Sequence, residues 1–397
     1  MFRGLRGIVF ALLCLVAFMV PWEELLALPG LRTGIFAVSG VALGASLVAV
    51  VHTSTVRPVP VGLVALAAFV IWTFASVLWT LDNDSTTSHI MSYVSLLVLT
   101  WMIWEFVDSM SKYRLIVASY VLGCCVSLLA LFSNYLQGRT VLGSDTDRFT
   151  GAGMNPNNLS LLLVIGLLFA VYLSLSTRSP GSAVYWYFVP VASVAVLLTG
   201  SRSGTIALAF AVTMIFVMTG FRSRKSVAVA FVVVGVTGVL ITTYIPDSLL
   251  DRVTEGTSAG TLQLRQMIWR AGLDSWQQTP LTGVGTGSFE AALEGNGYLP
   301  RVAHNTFVQI LVENGLVGAL IMMVAWIIIV GSVARFPRQE RLLWTGVMGV
   351  WILASITTSL ELFKATWLVY ALIVSRSGLR APAPFAETAS PVLARLP

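Results

Sequence analysis

"HNTFVQILVENGLVGALIMMVAWIIIVGSVAR", residues 304–335, decides the fold class. From Asn305 to Val333 it is apolar except near its start, and as a helix it would be about 44 Å long. A hydrocarbon core takes only about 30 Å. Counted back from Arg335, about twenty residues fill a membrane, which leaves His304 to Glu313 at or above its boundary. The polar residues sit in that protruding part. Asn305, Gln309 and Glu313 recur at every fourth position, so they form one stripe that must face something other than lipid.

The rest of the chain agrees with a membrane setting. Hydrophobic residues make up 56% of 397 and charged residues 11%, with a mean hydropathy of +0.85. Soluble domains carry about 25% charge, so a soluble enzyme is excluded. Twelve apolar segments are long enough to be candidate spans, at 6–20, 34–51, 59–79, 90–107, 114–132, 156–175, 184–198, 203–219, 226–245, 305–333, 342–359 and 365–375. The first follows a basic start and has no small-residue cleavage site after it, so it reads as a retained helix that also targets the chain. Cys14, Cys124 and Cys125 all lie in apolar runs, without metal or disulfide spacing, and read as packing thiols.

With the N-terminus inside, 15 of the 24 basic residues fall on the cytoplasmic side, as the positive-inside rule requires. Both termini are then cytoplasmic. The expected fold is an all-α polytopic membrane protein of about twelve transmembrane helices, with one long periplasmic loop. Residues 1–245 hold helices one to nine, 246–304 the loop, 305–378 the last three helices, and 379–397 a Pro- and Ala-rich tail that reads as disordered. Bundle helices are usually joined by roughly 2–8 residues, so a loop of this length points to function.

Three stretches on the outer side carry unusual charge. In "LLTGSRSGTIAL" (197–208), Arg202 stands among small residues where a helix starts. It can bind an anion with the helix N-terminus or simply snorkel to lipid headgroups. In "GTLQLRQMIWRAGLDSWQQTPLTGVGTGSFEAAL" (260–293), Leu262, Leu264, Met267, Ile268, Ala271 and Leu273 give a greasy face, with Arg265 and Arg270 among the polar positions. Such a helix suits the interface plane. The following glycines make a plain loop or bring backbone amides to a phosphate. The third stretch is the opening one, where Arg301 and His304 precede the polar stripe.

Other polar segments have a bland and a functional reading. Asp82 and Asp84 in "LDNDSTTSH" (81–89) look like the Asp-x-Asp of metal-dependent sugar transferases, or a polar turn. Asn155, Asn157 and Asn158 in "GAGMNPNNLS" (151–160) can meet sugar hydroxyls or cap the helix. Glu361 and Lys364 are close enough to pair.

Arginines with one histidine suit an anionic leaving group and a proton acceptor. Guanidinium forks hold phosphate oxygens, and a histidine titrating near neutrality takes a proton from an attacking hydroxyl. The chain has no HExxH, Cys/His metal set or nucleophile elbow, so no metal or cofactor is expected. On an outer face without nucleotides, the natural donor is a lipid diphosphate carrying sugar.

"SRSG" (201–204), "LRQMIW…TPLTGVGTGSF" (264–289) and "AHNTFVQILVENGLVG" (303–318) together resemble the O-antigen ligase and O-antigen polymerase superfamily, bacterial inner-membrane glycosyltransferases that use undecaprenyl-diphosphate-linked glycans. The resemblance implies that Arg202 and Arg265 bind the diphosphate and that His304 assists the acceptor hydroxyl. Beside these, Arg301 is expected as a supporting cation, and Asn305, Gln309 and Glu313 are expected to orient His304 or the acceptor sugar. Arg270, Asn155 and Asn158 are further candidate substrate contacts. The implied partners are the lipid-linked donor, a glycan or lipid A–core-type acceptor and membrane lipids, with no nucleic acid. One departure concerns the 80–89 turn, which is acidic where lipopolysaccharide ligases often carry a basic residue; it bears on ligase against polymerase. A lipid-linked glycan flippase or secondary transporter is the alternative, although transporters favour midplane charges and paired repeats, and here the charges lie on one face.

Overall fold

A computed structural model of the chain describes residues 2–27, 38, 40–48, 56–141, 148–151, 153–176, 180–219, 235, 239 and 259–379. The expected span at 226–245, the start of the long loop, parts of the 34–51 span and the tail after Leu379 lie outside these residues. Every regular element of three residues or more among the described residues is helical. The α-helices are α1 Phe2–Met19, α2 Val61–Ala75, α3 Asn83–Phe106, α4 Met110–Leu136, α5 Pro156–Ser176, α6 Val184–Leu198, α7 Arg202–Thr219, α8 Ala259–Gln278, α9 Phe289–Gly295, α10 Thr306–Val333, α11 Arg338–Ser355 and α12 Lys364–Ser377. Residues 40–48 are also helical.

Eight of the described helical segments are long and apolar enough to cross a membrane. They correspond to α1–α7 and α10, at the positions expected from hydropathy. The last two expected spans fold as α11 and α12, but neither has the length and apolarity of a full span. Arg338, Glu340 and Arg341 charge the start of α11, and the 14 residues of α12 extend only about 21 Å.

Helix α5 forms the centre of the bundle. From Leu159 to Leu173 every residue is buried, as expected of a helix that is apolar all round. It packs against α4, α6, α7 and α11, while α10 packs on α2 and α12 on α3. At one end of the bundle Arg6 pairs with Glu105 at 2.9 Å, Lys112 with Asp108 at 2.7 Å, and Arg376 with Glu340. Arg57 stacks over Trp104 there. Helices α8 and α9 mark the opposite end.

Helix α10 is not continuous. Gly315 takes φ 64° and ψ −173°, which separates a short N-terminal piece from residues 316–333. That second piece is about 27 Å long, close to the thickness of a hydrocarbon core. The break therefore falls where the excess length of the sequence placed the membrane boundary.

Beside the N-terminal piece, Ile268, Ala271, Val284, Phe289, Leu293, Ala303 and Val312 form a small core of their own. This refines the expectation for α8. Ile268 and Ala271 face that core, whereas Leu264 and Met267 stay 39% and 47% exposed. Only part of the apolar face is left for lipid, because α9 and the start of α10 cover the rest.

Candidate active site

The start of α10 fixes the pose of His304. Asn305 caps the helix, its Oδ1 accepting from the N–H of Phe307 at 3.0 Å and of Val308 at 3.1 Å. On the other side Ala303 is fully buried, and its carbonyl accepts from Trp269 Nε1 of α8 at 2.8 Å. Between these anchors His304 adopts φ 48°, the only positive φ of a non-glycine among the described residues. Such a conformation costs on the order of 1–3 kcal/mol and persists only when its surroundings impose it.

His304 is half-buried. Burial first, then the positive charges of Arg265 and Arg301, hold its pKa below the ordinary histidine value. It is thus a neutral imidazole at neutral pH, able to accept a proton. Burial also lowers the pKa of Arg265, yet a guanidinium stays charged near neutrality. A neutral base beside two cations is an arrangement for a reaction that creates negative charge.

The glycine loop does something other than cradle phosphate. Val284 N–H donates to the Val312 carbonyl at 3.0 Å and Gly285 N–H to the Glu313 carbonyl at 2.9 Å, using acceptors that the α10 break frees. Leu316 and Val317 N–H return bonds to the carbonyls of Pro280 and Leu281. Thr286 N–H donates to Ser76 Oγ at 3.2 Å. The Glu313 carboxylate takes the N–H groups of Gly287 and Phe289 as well as Gln309 Nε2, at 2.8 Å. With Gly283 and Ser288 N–H also bonded within the loop, its amides are spent on protein. The phosphate-cradle reading is corrected on that ground: the loop is a wall tied to α10.

The polar stripe is accordingly turned into the protein, with Asn305, Gln309 and Glu313 all buried. Ser359 Oγ donates to Gln309 Oε1 at 2.6 Å, and Thr306 Oγ1 accepts from Leu360 N–H at 2.9 Å. These bonds strap the α11–α12 loop to the helix that follows His304.

Arg202 begins α7. Ser201 caps that helix, its Oγ accepting from Gly204 N–H at 3.1 Å, and Gly204 lets α7 approach Ser160 of α5, where a Cβ would come within 2.3 Å of the hydroxyl. Asn155 accepts from Asn157 N–H at 2.9 Å as an N-terminal cap of α5, and both Asn155 N–H and Asn158 Nδ2 donate to Glu24. Their bonds are those of a helix start. Asp82 likewise caps α3 through Ser85 N–H at 3.0 Å.

Residues 186–323 match a family model described as O-antigen ligase. The chain carries an O-antigen ligase domain. It is a multi-pass membrane protein that, over residues 186–323, is similar to the O-antigen ligase family. No curated protein matches the chain.

The O-antigen ligase match takes in Arg202, Arg265, Arg270, Arg301, His304, the glycine loop and the polar stripe. The structure brings Arg265, Arg301 and His304 into one electrostatic group. Arg270 is exposed on α8, and Arg202 stands at the start of α7.

Several residues outside the matched segment were not legible as parts of this region. His89 of α3 lies against the glycine loop, where a Cβ on Gly287 would come within 2.6 Å of its Nδ1, and its charge acts on Glu313. Only its position four residues after Ser85, on a helix starting from the polar turn, hinted at this. Lys364 pairs with Glu23 rather than with Glu361, which corrects the pairing expected from their spacing: the 3-10 turn Val20–Ala27 that follows α1 lies beside the start of α12.

Glu361 is left buried, and burial followed by the charge of Glu313 raises its pKa to about 8 from 4.5. The unfolded chain releases this proton near 4.5 and the folded chain near 8, so native stability falls as pH rises across that window. Glu361→Gln is therefore expected to melt higher than the natural protein at pH 8 and to differ little near pH 4.5. Thermal melts in detergent at both ends check this; an increment independent of pH would contradict it.

Proposed function

We propose that this protein is a metal-independent glycosyltransferase that moves a glycan from undecaprenyl diphosphate to an acceptor hydroxyl. The observation that carries the reading is the neutral, half-buried His304, held in a left-handed pose beside Arg265 and Arg301. An acceptor hydroxyl attacks the anomeric carbon, and His304 takes its proton. The bond from that carbon to the diphosphate oxygen breaks, and undecaprenyl diphosphate leaves with the electron pair. Arg202 and Arg265, with Arg301 in support, hold the charge that grows on the leaving oxygens. A single displacement inverts the anomeric configuration.

In this reading the site faces the periplasm of the bacterial inner membrane and both termini are cytoplasmic, with 246–304 as the periplasmic loop between two groups of helices. The acceptor is a lipid A–core-type molecule or the growing end of a repeat-unit polymer. Asn305 and the Gln309–Glu313 pair act by holding His304 and the glycine loop. Arg270 lies on the open side of α8, where it can meet an extended glycan, while Asn155 and Asn158 support the start of α5.

The test is transfer in proteoliposomes that contain EDTA. The natural protein should release undecaprenyl diphosphate and form a glycosylated acceptor, and Arg265→Ala should lower kcat/KM by roughly 10²–10³-fold. Movement of the lipid-linked glycan across the bilayer without any release of undecaprenyl diphosphate would replace the enzyme by a transporter.

A further inference from the structure

The turn that carries Arg202 is held from outside the matched domain. Phe149 N–H donates to the carbonyl of Leu198, the last residue of α6, at 3.0 Å. Alongside it, Arg148 Nε donates to the Thr199 carbonyl at 2.9 Å, and a second guanidinium nitrogen reaches Asn157 Oδ1 at 3.4 Å. The same Asn157 oxygen accepts from Ser201 Oγ at 2.8 Å. Thr199 and Ser201 are both buried. The residue immediately before Arg202 and the one three before it are thus fixed by Arg148, the first indirectly through Asn157 and the second directly through its carbonyl.

This arrangement needs the particular side chains present. A planar guanidinium can reach a carbonyl and an amide oxygen in divergent directions, whereas a lysine ammonium on a flexible stem cannot hold both in one geometry. Asn157 serves as a shared acceptor, a role that needs an oxygen but no amide nitrogen. Ser201 Oγ, in turn, gives its proton to Asn157 and accepts from the α7 backbone. The chain of contacts runs from Arg148 through Asn157 and Ser201 into the first turn of the helix that starts with Arg202.

We propose that Arg148 is a positioning residue for the donor diphosphate, acting through Thr199, Asn157 and Ser201 on the pose of Arg202. The inference rests on the reading of Arg202 as a diphosphate ligand. Arg148 itself touches the turn and is given no contact with substrate.

The experiment uses the full chain in proteoliposomes, with the lipid-linked glycan as donor, and measures KM for donor and acceptor separately. Arg148→Ala and Asn157→Leu should each raise the donor KM about tenfold, equivalent to ~1.4 kcal/mol, while the acceptor KM stays within about twofold. Asn157→Asp keeps the shared acceptor and should retain the natural donor KM. Because Arg148 acts through Arg202, the double variant Arg148→Ala/Arg202→Ala should have the donor KM of Arg202→Ala alone, a non-additivity expected of coupled residues. A merely structural role would lower the active fraction and the melting temperature and leave the donor KM in place, and that result overturns the proposal. So does additivity in the double variant. If Arg202→Ala raises the donor KM and Asn157→Leu does not, positioning fails and the reading of Arg202 stands; if Arg202→Ala has no effect, both fall.

Discussion

Replacing His304 by alanine should lower kcat by roughly 10²–10⁴-fold, with little loss of donor binding. The side chain removed is the one neutral base held beside two arginines, so the chemical step loses its proton acceptor and the diphosphate keeps its cations. The pH profile gives a second reading of the same group. Burial, Arg265 and Arg301 place the His304 pKa below the ordinary 6.5, so the neutral form survives to lower pH than in a free histidine. Activity of the natural protein should therefore fall on the acid side only below pH 6.5. Arg301→Gln removes one of the charges that disfavour the imidazolium, and it should move that limb upward, toward 6.5. A His304→Ala variant that transfers at the natural rate, or an acid limb that moves down in Arg301→Gln, would contradict the assignment.

Gly283→Ala should be strongly damaging, because the glycine loop is clamped to the α10 break. Gly283 has φ 73°, and a Cβ there would stand 2.4 Å from Gly315 N and 2.6 Å from the Glu313 carbonyl oxygen. Both neighbours are backbone of the α10 break and cannot swing away. Left-handed strain of about 1–2 kcal/mol adds to an overpacking cost of about 1–3 kcal/mol, so the loop should detach from α10 and transfer should be lost with it. Gly297 provides the control. Its φ is 78° but a Cβ would meet nothing within 4 Å, so Gly297→Ala pays the conformational cost alone. Equal melting temperatures for the two variants would show that the loop is not clamped to α10 in the way described.

The apolar helices were legible because membrane spans announce themselves by length and hydropathy, one segment at a time. The excess length of 305–333 placed His304 outside the bilayer, and the break at Gly315 falls at that boundary. What a single segment cannot show is which partner its polar groups choose. Glu313 could be placed on a stripe with Asn305 and Gln309, yet its carboxylate meets the amides of Gly287 and Phe289, twenty-odd residues earlier in the chain. The glycine loop resembled an anion site for the same reason, since glycine spacing reveals an unusual backbone but not what the freed amides bind. Lys364 was closer in sequence to Glu361 than to Glu23, and only the packing of the turn after α1 beside α12 redirects it. Nothing in the sequence around Arg148 points to Arg202; their link depends on two loops meeting across α5 and α6.

The most direct test is to determine the structure of the protein in a lipid nanodisc with a non-transferable undecaprenyl diphosphate glycan bound. The account predicts diphosphate density within hydrogen-bond distance of the Arg265 guanidinium, with the anomeric carbon facing His304. Diphosphate seated at the other end of the bundle, beside Arg57 and Trp104, with nothing at Arg265, would contradict it.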